Sequence, residues 1–84
     1  MKVIPYSRHT VTREDRQAVM QVLRSDWLTQ GPKIAEFEKK IADICGARYA
    51  IAVSNGTAAL HLACLALGVG PGQQVITTPE TFVA

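Results

Sequence analysis

Nothing in this 84-residue chain is long and apolar enough to span a bilayer: the longest mostly apolar stretch, Ala58 to Val69, contains His61 and falls short of the ~20 residues a crossing helix needs. The N-terminus, Met1-Lys2-Val3-Ile4-Pro5-Tyr6-Ser7-Arg8, lacks the apolar core of a secretory signal, so the cytoplasm is the expected compartment and no membrane partner is expected. Cysteine is scarce. Cys45 and Cys64 have neither a Cys-x-x-Cys spacing nor a neighbouring histidine, which argues against a metal site or redox pair and leaves buried free thiols in a reduced compartment as the expectation. Charge of one sign gathers nowhere. Nine Lys and Arg are interleaved with seven acids, a pattern that does not point to nucleic acid. Internal repeats and low-complexity runs are also missing.

Eighty-four residues allow one small domain at most, and so short a chain buries a modest fraction of its surface. The final residues, Thr81-Phe82-Val83-Ala84, follow a strand-like run with no polar tail, and read as the front of something larger. Thr12-Arg13-Glu14-Asp15 has the form of a capping box, and Ala18, Val19, Val22 and Leu23 continue at helical spacing. A second helix is expected with Pro32 at its first position, a buried stripe of Ile34, Phe37, Ile41 and Ile44, a solvated face of Glu36, Glu38, Lys39, Lys40 and Asp43, and Gly46 as its stop. Tyr49 to Val53 reads as a strand. A third helix, apolar on nearly every face, runs from Ala58 to about Leu67; Val69-Gly70-Pro71-Gly72 is a turn, and Gln74-Val75-Ile76-Thr77 a second strand. Strand, helix, strand in that order predicts a right-handed βαβ unit with a parallel pair, hence an α/β fold.

Ser54-Asn55-Gly56-Thr57-Ala58-Ala59 lies where the first strand would meet the third helix. Amides at a helix start lack intrahelical partners and carry the positive end of the macrodipole, so a phosphate fits there. Gly56 allows close approach, and Thr57 adds a hydroxyl. The competing reading is a small polar cluster that merely caps a helix. No Gly-Lys-Ser/Thr closes the loop and no Gly-x-Gly-x-x-Gly is present, so neither a Walker A loop nor a dinucleotide fingerprint is read here.

Taken together, Ser54 to His61, Pro71-Gly72 and Val75-Ile76-Thr77-Thr78-Pro79-Glu80-Thr81-Phe82-Val83-Ala84 resemble the N-terminal part of the large domain of the DegT/DnrJ/EryC1/StrS nucleotide-sugar aminotransferases. Ile4-Pro5-Tyr6-Ser7, Trp27 to Lys33 and Phe37-Glu38 are similar to that family's N-terminal arm and its entry into the second helix. The nearest likeness is to enzymes acting at C4 of UDP-4-keto-6-deoxy-N-acetylhexosamines, as in pseudaminic acid biosynthesis. The resemblance implies pyridoxal 5'-phosphate as cofactor and an aspartate-aminotransferase-type (fold type I) large domain. Residues 1–33 would form the arm and first helix, and residues 34–84 the second helix and βαβ unit. A nucleotide-sugar substrate, glutamate as amino donor and a homodimer with active sites at the subunit interface are implied with it.

Carried onto this chain, the resemblance assigns the cofactor phosphate to Gly56, Thr57 and Ala58, and stacking on the pyridine ring to Phe82. On its own, Phe82 reads better as a core residue opening the next helix, and the resemblance reverses that preference. Tyr6, Thr29 and Gly31 would lie near the sugar entrance, where Trp27 could instead plug the first helix against the core. His61 reads as a core histidine rather than a general base. No catalytic residue is assigned. The cofactor-bearing lysine lies later in the family's chains, and Lys2, Lys33, Lys39 and Lys40 do not match its position. A dehydratase branch of the same fold, with histidine in place of that lysine, stays open, as does a non-catalytic phosphate-binding α/β module.

Overall fold

The computed structural model describes residues 1–84 and contains three helices, α1 (Arg13–Leu23), α2 (Pro32–Cys45) and α3 (Gly56–Ala66). Their ends follow from local chemistry. At α1 the Thr12 hydroxyl oxygen accepts the Asp15 N–H at 3.2 Å while the Asp15 carboxylate accepts the Thr12 N–H at 2.7 Å, a complete capping box. Pro32 occupies the first turn of α2, where its missing N–H would have had no partner anyway. Gly46, at φ 61°, ends α2 in the left-handed conformation that residues with a Cβ resist. Asn55 caps α3, which starts at Gly56 rather than Ala58. Beyond α3, the Gln73 N–H closes a turn onto the Gly70 carbonyl at 3.1 Å, with Pro71 and Gly72 at its centre.

The expected βαβ unit is not formed. The chain has helices and irregular connections but no strand, so the α/β fold type I assignment is corrected to an all-helical arrangement. A strand exists only as one side of a ladder, with a neighbour about 4.8 Å away. No backbone hydrogen bond joins residues 49–53 to residues 74–77, and the Ala52 N–H is instead engaged by the Glu38 carboxylate at 2.8 Å. Strand-type side chains fit a pleated, half-buried surface, whereas here Tyr49, Ile51, Val75 and Ile76 are all exposed.

The helices also leave their apolar faces uncovered. No two of them pack together, and Ala42 is the one buried residue. The radius of gyration is 17.7 Å, against about 12 Å for a compact domain of this length. The accessible surface is 8680 Å², against roughly 4,900 Å² for a compact monomer of this mass. Consequently the stripe of Ile34, Phe37, Ile41 and Ile44 is exposed rather than buried, as are Leu60, Leu62, Leu65 and Leu67. Cys45 is exposed and Cys64 half-buried, and His61 is exposed with no hydrogen-bond partner, so none of these three occupies a core. A helix face is buried only by an opposing face, and the irregular segments between these helices bring none into place.

Candidate functional site

Asn55 builds the start of α3. Its backbone is extended at φ −166° and ψ 172°, which aims its side-chain oxygen at the Ala58 N–H, 2.8 Å away, while its carbonyl accepts the Ala59 N–H at 3.2 Å. The first bond satisfies one of the four orphan amides of the helix start, and the second is the first bond of the helix itself. The N–H groups of Gly56 and Thr57 have no protein acceptor. A Cβ built on Gly56 would meet nothing within 4 Å, so no side chain crowds that position. No acidic residue lies in the first turn, and the positive end of the helix dipole is unopposed. Two free amides with the adjacent Thr57 hydroxyl form a donor set that suits the oxygens of a phosphate monoester.

Of the three residues expected to hold the phosphate, Gly56 and Thr57 present open amides, whereas that of Ala58 is engaged by Asn55. Phe82 is exposed and shares an open recess with Tyr6, Glu80 and Thr81; no residue of the α3 start lines that recess. Thr29 and Gly31 meet elsewhere, in a cavity of about 200 Å³ between the end of α1 and the start of α2 that Trp27 also lines. Gly31 is required there by close approach, because a Cβ would lie 2.8 Å from the Trp27 Cβ. The preceding Gln30 is left-handed at φ 52°, uncommon for a residue with a side chain. The expected site residues thus fall into three separate groups: the α3 start, the Tyr6–Phe82 recess and the Trp27 cavity.

Lys33 donates to Glu36 at 2.7 Å, an exposed pair one helical turn apart and a surface charge in this arrangement. No group of three or more His, Cys, Asp or Glu side chains is placed to hold a metal, and no helix is long and apolar enough to cross a membrane. Asn55 stands in the polar cluster whose competing reading was a helix cap, and it forms that cap. Glu38, expected on a solvated face, is half-buried and escaped sequence reasoning, because its partner Ala52 is 14 residues away.

A sequence model of the DegT/DnrJ/EryC1/StrS aminotransferase family matches residues 9–84. The chain belongs to this family. Among relatives of this DegT/DnrJ/EryC1/StrS chain, the spore coat polysaccharide biosynthesis protein SpsC of Bacillus subtilis (strain 168) is 49% identical over 79 residues, covering 94% of this chain and 20% of the relative. The UDP-4-amino-4-deoxy-L-arabinose–oxoglutarate aminotransferase of Shewanella sediminis (strain HAW-EB3) is 46% identical over 81 residues, covering 96% of this chain and 21% of the relative. The chain therefore spans about a fifth of the length of these curated relatives. No solved structure matches it.

Proposed function

We propose that this chain is a segment of a pyridoxal-phosphate-dependent aminotransferase that moves an amino group from glutamate to a keto group on a nucleotide-linked deoxysugar. The observation that carries the reading is the family match over residues 9–84, supported by a relative named as a sugar-nucleotide aminotransferase. When bound, the cofactor accepts the amino group from the donor and returns it to the keto sugar. The residues of this segment would hold rather than react. Gly56 and Thr57 donate N–H groups to the phosphate, helped by the Thr57 hydroxyl and the α3 dipole. Phe82 would offer a planar face to the pyridine ring, and Tyr6, Thr29 and Gly31 would contact the sugar nucleotide.

The same reading places the protein in the cytoplasm as a homodimer. The homodimer is supported by the uncovered surface: the 8680 Å² exposed by this chain, with many apolar side chains in it, exceeds the compact expectation by an area in the range of obligate interfaces and intrachain packing. The full-length protein carrying this segment, supplied with cofactor, glutamate and a UDP-linked 4-keto-6-deoxy sugar, should yield 2-oxoglutarate and amino sugar in equal amounts by mass spectrometry. Loss of water from the sugar without gain of nitrogen would assign the dehydratase branch instead. Absence of both conversions across keto-sugar nucleotides, with cofactor bound, would refute the proposal.

A further inference from the structure

Nine side-chain hydrogen bonds are formed in this chain, and eight of them span only two or three residues. The exception joins two distant parts. Glu38, half-buried on α2, accepts the Ala52 N–H at 2.8 Å across 14 residues. Ala42, one turn along the same face of α2, is the one buried residue, and its carbonyl accepts the Ala47 N–H at 2.9 Å. The segment Ala47 to Ala52 is thus held at its start by the backbone cap that ends α2 and at its end by the Glu38 carboxylate alone. Three residues beyond Ala52 stands Asn55, followed by the open amides of Gly56 and Thr57. Glu36 is paired with Lys33 and contributes nothing to this tie.

We propose that Glu38 is a positioning residue for the cofactor-phosphate site: its carboxylate, by holding the Ala52 amide, fixes the segment that delivers Asn55, Gly56 and Thr57. The inference rests on the reading of the α3 start as the phosphate site. A charged acceptor makes one of the stronger hydrogen bonds to a backbone amide, and anion binding by free amides depends on the placement of the backbone that carries them. Glu38 itself does not touch the phosphate. Its negative charge would repel an anion, so its contribution is placement alone.

The test is made on the full-length protein, by titration with pyridoxal 5'-phosphate and with phosphate-free pyridoxal, for the unsubstituted protein, Glu38→Ala and Glu38→Gln. The unsubstituted protein should prefer the phosphorylated ligand. Glu38→Ala should lose about tenfold of that preference, a size typical of one charge-assisted bond, with pyridoxal affinity unchanged. Glu38→Gln keeps an oxygen for the same amide and should stay within about threefold of the unsubstituted protein. If Glu38→Ala weakens both ligands equally, the residue is merely structural and the proposal falls. No preference in the unsubstituted protein would overturn the phosphate-site reading itself, a distinguishable result. Should Glu38→Ala fail to fold, amide exchange in the unsubstituted protein decides: Ala52 should be protected, and more so with inorganic phosphate, whereas exchange at the free-peptide rate in both conditions contradicts the proposal.

Discussion

Helices α1 and α3 have the same length, 11 residues, and each begins on a capped, extended residue, yet their N-termini are chemically opposite. The first turn of α1 carries Glu14 and Asp15, and Asp15 closes a reciprocal box with Thr12. It supplies its own anion. The Thr12 backbone N–H first, then its hydroxyl, hold the Asp15 carboxyl below its usual range. The first turn of α3 has one neutral cap, Asn55, no acid, and two amides without an acceptor. Both ends are capped, and only the second leaves its positive end for an external anion. Stability alone would have favoured an acid at both.

Making α3 resemble α1 should break this contrast most severely. Ala58 sits where Asp15 sits in α1, at the third helical position, so Ala58→Asp should lower affinity for pyridoxal 5'-phosphate in the full-length protein by roughly a hundredfold, through like-charge repulsion and a competing internal acceptor. Isothermal titration measures it. The same substitution should leave α3 as stable or slightly more so, by about 0.3–1 kcal/mol.

A third helix start sharpens the comparison, because α2 has neither an acid nor a side-chain cap and depends on Gly31 and Pro32. Gly31→Ala forces a Cβ to 2.8 Å from the Trp27 Cβ. Neither atom is the end of a flexible side chain, so the turn must shift, at a cost of about 1–3 kcal/mol. Thermal unfolding should show that loss, with phosphate affinity at α3 unaltered.

The capping residues test the contrast more gently. Thr12→Ala and Asn55→Ala should each cost about 1 kcal/mol in denaturant unfolding. Only Asn55→Ala should also change phosphate affinity. Equal effects of both on phosphate binding would remove the distinction between the two helix starts.

What could be read from the sequence was local. The capping box at Thr12, the Pro32 start, the Gly46 stop and the Gly70–Gln73 turn each depend on residues within a few positions, and each is present. The cluster at Ser54 to Ala58 was legible for the same reason, although Asn55 takes up one of the amides expected to face the phosphate. What failed was non-local. Alternating and apolar runs at Tyr49–Val53 and Gln74–Thr77 state a preference for a ladder, but a ladder needs a partner, and these runs do not pair. The stripe on α2 and the apolar surface of α3 likewise state what should be covered, not what covers it.

The smallest effect expected is on pH dependence. Because the folded pKa of Asp15 is lowered, its contribution is fully present above the unfolded value, near the ordinary 3.8, and is lost as pH falls through the folded value. Amide exchange of α1 should therefore quicken under acid titration below that point. The first turn of α3, with no acid of its own, should show no such step.

The most direct measurement is an amide-resolved titration of the full-length protein with pyridoxal 5'-phosphate, comparing the first turns of α1 and α3. A phosphate site at α3 predicts that the Gly56 and Thr57 amides shift strongly and gain protection from exchange, while those of Arg13 and Glu14 do not move. Shifts of equal size at both helix starts, or none at Gly56 and Thr57 with cofactor bound, would contradict the account.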